Sequence, residues 1–206
     1  MTRAVMRRIA VLSALLGAFA ATPVAAQMFS DGYEFLKAVK DRDGEAVTEA
    51  LNEPGTTIVN TRDLTTGETA MHIVTARRDA VWIKFLAQRG ANPNIRDKKG
   101  VSPLQLAVTL GFVEGVEALI KAGAEVEVTD TAGETPLIAA VHRRDVALIR
   151  LLLANRGNPD RTDNSGRSAR DYAKLMTGNS SILAEFDRAD AARKEKGAAG
   201  SYGPGA

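Results

Sequence analysis

The sequence predicts an all-α solenoid, in which short helix-turn-helix units stack side by side and are joined by β-turn or hairpin loops. Three observations support this prediction. A turn motif recurs with a constant period, marked by glycines at positions 67, 100, 133 and 166, helix-capping residues follow each copy, and apolar residues then recur at helical spacing. Two such short helices bury too little apolar surface to be stable alone, whereas stacked pairs share one continuous core.

The repeat is carried by glycine, hydroxyl and aspartate residues that keep the same spacing from copy to copy. They are Gly67, Gly100, Gly133 and Gly166, then Thr69, Ser102, Thr135 and Ser168 just after each glycine, and Asp97, Asp130 and Asp163 just before the last three. Asp and Gly favour a turn, because Asp accepts hydrogen bonds from nearby backbone N–H groups and Gly tolerates a positive φ. The Thr or Ser then caps a short helix, and Pro103 and Pro136 fit its first position.

A second helix is predicted in each unit after a short break, such as the one at residues 143–145. In the third unit Val146 and Ile149 begin the helical spacing of apolar residues. Gly90 and Gly123 are expected to end this helix in the left-handed conformation that suits glycine. Because Arg156 stands at the corresponding place in the third unit, we expect that helix end to be strained or shifted.

The spacing divides the chain into seven segments. They are a signal peptide at 1–26, an N-terminal capping repeat at 27–66, repeats at 67–99, 100–132 and 133–165, a C-terminal capping repeat at 166–189, and a charged then flexible tail at 190–206. The terminal units need polar outer faces, since each packs on a neighbour on one side only. We expect residues 190–196 to prolong the last helix and residues 197–206 to be disordered.

The N-terminal segment has the composition of a secretory signal peptide. Residues 1–8 are basic, residues 9–21 are apolar except for Ser13 and Gly17, and small residues precede Gln27. The apolar run is shorter than the roughly 20 residues of a membrane-spanning helix. We therefore expect cleavage after Ala26, no membrane span in the mature chain, and a periplasmic or secreted protein, with an uncleaved anchor as the alternative.

Composition and charge exclude several classes of function. The 206 residues include no cysteine, which excludes disulfides, thiolate metal sites and a cysteine nucleophile. The net charge of +2 depends on three arginines in residues 1–26, so the remainder has 24 basic against 25 acidic side chains and lacks a broad basic surface for nucleic acid. The Asp turns have too few oxygen ligands for calcium. We expect no enzyme, no cofactor and no metal.

The repeated units resemble the ankyrin repeat family. The resemblance is carried by the motifs at residues 67–72, 101–104 and 134–137, and by the repeat ends at residues 90–94 and 123–127. It covers nearly all of the chain after the signal peptide. The sequence departs from the family pattern where Ala70 replaces the usual proline. Histidine at the position of His72 hydrogen-bonds neighbouring units in the family, and the later units have other residues there.

The resemblance implies a non-catalytic module for protein–protein interaction, which binds its partner through the concave face of the stack. In the family, contacts come from the turns and from the latter half of each first helix. The corresponding positions are Thr65, Thr66, Glu68, Ala76, Arg77, Arg96, Lys98, Lys99, Val101, Thr109, Leu110, Thr131, Ala132, Glu134, His142, Arg143, Asn164, Ser165 and Arg167. Val101 and Leu110 are expected to be exposed apolar anchors, and Arg96, Lys98 and Lys99 to form a basic tip.

Two alternatives to a periplasmic adaptor remain open. One is a secreted effector that meets a host protein. The other is a small-ligand or metal site near His142 and Glu134, although no small-molecule substrate is expected. Among single residues, we expect His72 to be structural and Trp82 to pack in the core or between units.

Overall fold

A computed structural model describes residues 24–200, with side chains described for residues 31–195. In that part of the chain the backbone forms ten α-helices, one short 3-10 helix (Ile58–Asn60) and two isolated β-bridges. The α-helices are α1 (Val24–Asp41), α2 (Gly44–Asn52), α3 (Ala70–Ala76), α4 (Ala80–Gln88), α5 (Pro103–Leu110), α6 (Val113–Lys121), α7 (Pro136–His142), α8 (Val146–Ala154), α9 (Ala169–Leu175) and α10 (Ser180–Gly200). Most of the predicted signal peptide lies outside the described residues.

The helices stack in two parallel series. The first helices of successive units pack on one another, α3 on α5, α5 on α7 and α7 on α9. The second helices do the same, α4 on α6, α6 on α8 and α8 on α10, while α1 packs on α3 at the N-terminal end. This consecutive packing confirms the predicted all-α solenoid. None of the described helices has the length and apolar composition required to cross a membrane.

Several of these helices begin where the sequence supplies a side-chain oxygen for the first N–H groups, whereas α6 begins after Phe112 without one. Ser102 and Thr135 accept hydrogen bonds from backbone N–H groups in the first turns of α5 and α7, both at 3.2 Å. Asp79 and Asp145 cap α4 and α8 in the same way, at 3.1 Å each. These two aspartates therefore start the second helices, in a segment that the sequence pattern identified only as a break.

The core is continuous because the same positions are buried in successive units. Leu86, Leu119 and Leu152 occupy equivalent places on the second helices of three consecutive units, and each has no exposed surface. Leu104 and Leu137 do the same for the first helices, at 1% and 0% exposure. Apolar side chains from the helix pairs form a single buried cluster, as expected of a stack whose units are not stable alone.

The turns between units have the predicted left-handed glycines, with φ between 75° and 80° at the four motif positions. At Gly133 a Cβ atom would also lie 2.8 Å from the backbone nitrogen of Asn164, so the next turn leaves no room for a side chain. That nitrogen donates to the carbonyl of Ala132 at 3.0 Å, and Lys98 donates to Thr66 at 2.9 Å. Neighbouring turns are thus hydrogen-bonded to one another.

Three chain segments show how the helix ends compare with expectation. Arg156 adopts the left-handed conformation itself, with φ of 71°, so the end of α8 is strained rather than shifted. Helix α10 extends to Gly200, beyond residue 196, where the sequence predicted that the last helix ends. Helix α1 begins at Val24, which places the predicted cleavage point after Ala26 within its first turn.

Candidate partner-binding face

The predicted contact positions other than Arg77 lie along one surface, which we call the turn face. It consists of the turn tips at residues 64–66, 98–99, 131–132 and 164–165 and the neighbouring ends of the first helices. Because the period of the sequence matches the spacing of the stacked units, equivalent positions lie side by side and form rows along the stack.

The row of tips is exposed in every unit. Its members are Thr65, Thr66, Lys98, Lys99, Thr131, Ala132, Asn164 and Ser165. The backbone of each tip is held by an aspartate within its own turn, for example Asp63, whose Oδ1 accepts from Thr65 N at 2.8 Å and Thr66 N at 2.9 Å. These backbone hydrogen bonds lower the pKa of Asp63. The tips therefore present their side chains from a fixed backbone.

Two rows of first-helix positions lie behind the tips. The outer row is exposed and consists of Ala76, Thr109, His142 and Leu175. The inner row is half-buried and consists of Ile73, Leu106, Ala139 and Tyr172. The turn face thus has a mostly apolar strip of helix surface bordered by polar turn tips.

Tyr172 is a residue of this face that the sequence analysis missed. Its hydroxyl donates to Asp163 Oδ2 at 2.6 Å, and its ring centroid lies 4.5 Å from that of His142. The Tyr172 hydrogen bond, followed by that of Ser165, holds the pKa of Asp163 far below its usual value. The signal was available in the repeat, because Tyr172 occupies the same place in its unit as Ile73 does in an earlier one.

Arg77 was expected on the surface but lies largely inside. Its side chain is 15% exposed, its Nε lies 3.3 Å from Asp79 Oδ2, and its guanidinium donates to the carbonyl of Val39. It also lies over the ring of Trp82, with 4.7 Å between Cζ and the ring centroid. Trp82 in turn packs edge-on against Phe85. Arg77 therefore joins the first two units, and the expectation of an exposed contact residue is wrong.

Val101 and Leu110 are half-buried rather than exposed. Leu110 packs against the core, and its carbonyl accepts a hydrogen bond from Arg78 at 2.6 Å. The carbonyl of Val101 is bonded to the ring of His72. Their expected role as exposed apolar anchors is therefore corrected. The exposed apolar side chains at the edges of the turn face are instead Leu64 and Leu175, at 69% and 71% exposure.

Several basic residues of the face are exposed but bridge neighbouring units. Arg96 Nη1 donates to the carbonyl of Thr129 at 2.7 Å, and Arg143 Nη1 donates to that of Thr109 at 2.7 Å. Arg167 does not bridge units: it lies over the ring of Tyr172 in its own unit, with 5.9 Å between Cζ and the centroid. Each guanidinium has five N–H donors, so a bridge of this kind leaves donors available at the surface.

The two acidic residues of the predicted set are half-buried. Glu68 accepts a hydrogen bond from the Thr66 hydroxyl at 3.2 Å, and Glu134 donates its backbone N–H to Asp130 at 2.8 Å. Within residues 31–195 no three His, Cys, Asp or Glu side chains are placed to hold a metal ion together. The ring of His142 packs on that of Tyr172, with 4.5 Å between the ring centroids.

His72 joins two units through both ring nitrogens. Nδ1 accepts the backbone N–H of Thr69 at 3.1 Å, which places the ring proton on Nε2, and Nε2 donates to the carbonyl of Val101 at 3.0 Å. The side chain is 1% exposed, and burial lowers its pKa. The predicted structural role of His72 is confirmed by this geometry.

Comparison with known proteins agrees with the geometry of the stack. A family model described as ankyrin repeats (3 copies) matches residues 35–130, and one described as ankyrin repeats (many copies) matches residues 119–173, so the two together extend over more than half of the chain. An ankyrin repeat-containing protein of Treponema pallidum is 35% identical over 99 residues, which are 48% of this chain and 33% of that protein.

Two longer eukaryotic proteins are similar over shorter parts of their length. Oxysterol-binding protein homolog 1 of Saccharomyces cerevisiae is 33% identical over 76 residues, 35% of this chain and 6% of its own. The transient receptor potential cation channel subfamily A member 1 homolog of Caenorhabditis elegans is 28% identical over 107 residues, 52% of this chain and 9% of its own. The chain thus spans a third or less of the length of each of these curated relatives.

Proposed function

The chain belongs to the ankyrin repeat family, and from this premise we propose that it is a non-catalytic module that binds a protein partner through its turn face. Ankyrin repeats are modules for protein–protein interaction. The main support for the proposal is that the turn tips are exposed while their backbone is held in place by hydrogen bonds. Every tip backbone is held by its own aspartate or by the next turn, so little conformational entropy is lost when a partner binds.

The composition of the face indicates the chemistry of the partner. The strip of Ile73, Leu106 and Tyr172 offers partly covered apolar surface, and aromatic side chains in such positions often supply much of the binding energy. Lys98 and Lys99 form a basic tip beside it. A partner segment with apolar side chains flanked by acidic ones fits this arrangement, with charge guiding association and apolar contact supplying affinity.

We further propose that the chain is exported to a bacterial periplasm and acts there as an adaptor. The support is the sequence of residues 1–26, with its basic start, apolar run and small residues before Gln27. Fractionation of cells that express the full chain, followed by N-terminal sequencing, tests this proposal. We expect periplasmic protein that begins at Gln27. Cytoplasmic protein that retains residues 1–26 would contradict export, and mature protein in the medium would favour the secreted effector.

Binding is tested by capture from an envelope extract, identification by mass spectrometry and titration of the purified partner by calorimetry. The double variant Lys99→Glu, Thr109→Asp changes one exposed turn tip and the exposed end of one first helix of the turn face. We expect at least a tenfold loss of affinity, because a basic contact becomes repulsive and a charge is placed in the exposed row beside the apolar strip.

The matched control is Lys84→Glu with Gln88→Asp, which makes the same charge changes on the exposed side of α4. We expect its affinity to stay within about twofold of the parent, since surface changes remote from a contact are nearly neutral. If the control weakens binding as much as the face variant, or if the face variant binds normally while its far-ultraviolet circular dichroism is unchanged, the partner uses another surface.

A further inference from the structure

A groove at the C-terminal end of the stack combines an apolar floor with a basic rim. It lies between α8 and α10, has a volume of about 640 Å³, and we call it the arginine groove. Leu153, Ala154, Ala189 and Ala192 form its floor, Arg150, Arg156, Arg188 and Arg193 form its rim, and Asn158 and Glu185 complete its lining. None of these residues belongs to the turn face.

The arginine groove has an excess of positive charge. The side chain of Glu185 is 6% exposed and accepts from Arg150 Nη2 at 2.6 Å and from Arg188 Nη1 at 2.7 Å. Within the lining this carboxylate compensates one of four guanidinium groups, and Asp190, which lies outside the lining and also pairs with Arg170, has its Oδ1 3.9 Å from Arg193 Nη1. Arg150 and Arg188 remain 63% and 69% exposed, and Arg156 has no carboxylate within ion-pair distance among residues 31–195. The rim can therefore accept further carboxylates.

A second groove at the N-terminal end has the opposite charge. It lies between α1 and α2, has a volume of about 310 Å³, and we call it the acidic groove. Phe35, Ala38, Ala46, Ala50 and Ile58 form its floor, and Asp31, Glu34, Asp41, Asp43, Glu53 and Lys37 form its rim. Across residues 31–53 the chain has seven acidic and three basic side chains, so this end of the stack is negative.

We propose that the arginine groove of one copy binds the acidic groove of a second copy, so that the protein associates head to tail. The acidic groove belongs to the first helix pair and the arginine groove lies between α8 and α10, with the helix pairs α3–α4 and α5–α6 stacked between them, so the two grooves cannot meet within one chain. The two grooves are complementary in charge, since one rim is mainly basic and the other mainly acidic, and both have an apolar floor. This inference does not depend on the partner proposed for the turn face, because it uses neither the tips nor the first-helix rows.

The contact is heterologous, which determines the form of the assembly. When two copies join, one arginine groove and one acidic groove remain free, so further copies can add until a ring closes or the chain of copies ends. Its strength must depend on salt, because the charges are exposed and the Debye length falls from about 30 Å at 0.01 M to about 8 Å at 0.15 M ionic strength. Individual exposed ion pairs contribute little, so the apolar floors and several charges must act together.

Sedimentation velocity of the full chain over a range of concentrations tests the proposal. We expect the average mass to rise with concentration in 0.01 M salt and to fall back toward the monomer as salt is added. Two variants reverse the rims, Arg156→Glu with Arg193→Glu and, reciprocally, Glu34→Lys with Glu53→Lys. Each variant alone should associate at least tenfold more weakly than the parent, because like charges then face each other.

An equimolar mixture of the two variants gives the decisive result. In the mixture every reversed rim can meet a reversed rim of opposite charge, so association should return although each variant alone stays monomeric. The control Lys84→Glu with Lys174→Glu makes the same change of net charge as the arginine variant, at exposed positions outside both grooves, and should associate like the parent. Circular dichroism confirms folding, and the reciprocal variant keeps the test valid if removal of Arg193, which donates to Gly157, unfolds α10.

Three results would overturn the inference. They are a parent chain that sediments as a monomer at every concentration in low salt, a control that weakens association as much as the rim variants do, and a mixture that fails to associate. Binding of an unrelated acidic peptide to the arginine groove, without association of the parent chain, would show that the groove serves another partner and would equally reject a head-to-tail contact.

Discussion

Substitution of His72 by Gln tests the contact between two neighbouring units most directly. The chain itself shows how glutamine behaves at this position, because Gln105 is the equivalent residue of the next unit and its Oε1 accepts the backbone N–H of Ser102 at 3.0 Å. In the His72→Gln variant we expect the new side chain to keep the equivalent bond to Thr69 and to lose the bond to the carbonyl of Val101. The change therefore removes one hydrogen bond between units and leaves the helix cap in place.

The magnitude follows from the surroundings of that bond. Val101 is half-buried, so water can reach its carbonyl when the imidazole is absent, and the loss should be near the ordinary net value of a hydrogen bond. We expect the free energy of unfolding at pH 7.5 to fall by about 1 kcal/mol. For a chain of this size the melting temperature should fall by roughly 2 to 4 °C.

The pH dependence gives a second, independent signature. Burial lowers the pKa of His72 in the folded protein below 6.5, so the unfolded chain takes up a proton more readily. The stability associated with neutral His72 is fully present above the unfolded pKa and is lost as the pH falls through the folded pKa. The parent should therefore lose more stability than the His72→Gln variant between pH 7.5 and pH 5.5.

Urea unfolding followed by circular dichroism at the two pH values measures both effects. His142 is present in both proteins, so the difference between them isolates His72. If the variant lost as much stability as the parent on acidification, His72 would not be held as a buried neutral imidazole. If its stability at pH 7.5 equalled that of the parent, the bond to Val101 would contribute nothing.

Two further substitutions test the core and a strained turn. Leu137→Ala should lower the free energy of unfolding by about 3 to 5 kcal/mol, because Leu137 is fully buried. Leu175→Ala, at an exposed position, should change it by less than about 0.5 kcal/mol. If urea unfolding gave equal effects for the two variants, the core face would be assigned wrongly. Arg156→Gly should raise the melting temperature, because glycine adopts the left-handed conformation of Arg156 without strain. The free energy of unfolding should rise by about 0.5 to 1 kcal/mol once the greater chain entropy of unfolded glycine is included. A lower melting temperature would show that the arginine side chain stabilises the fold by more than its backbone strain costs.

The architecture was predictable because its signals are local and repeated. The glycine of each turn, the hydroxyl that caps each first helix and the apolar spacing of each second helix act within a few residues, and the constant period places equivalent positions in contact. The exposed tips followed from the same pattern. The helical extension of α10 to Gly200 did not, because residues 197–200 contain only glycine and alanine and no apolar spacing that marks a helix.

The burial of each arginine was not predictable from local pattern, because it depends on which carbonyl a neighbouring unit offers. Arg78 and Arg144 occupy the same turn position in their units, both with a positive φ, and donate forward to Leu110 and Thr177. Their preceding residues, Arg77 and Arg143, also correspond in sequence. Arg77 is nevertheless largely buried against the first unit, whereas Arg143 is exposed. The residues are identical, and their neighbours decide which one remains on the surface.

The constant spacing of the repeats also predicts which residues lie side by side on the turn face, which the motifs alone do not. Residues one period apart become neighbours across units, so a column of the aligned repeats is a row on the surface. The column that contains Ile73, Leu106 and Tyr172 becomes an apolar strip, and its aromatic member lies at the C-terminal end, bonded to Asp163. Since apolar contact supplies most of the affinity in such interfaces, a partner that engages this strip should depend more on Tyr172 than on the lysines of the tip.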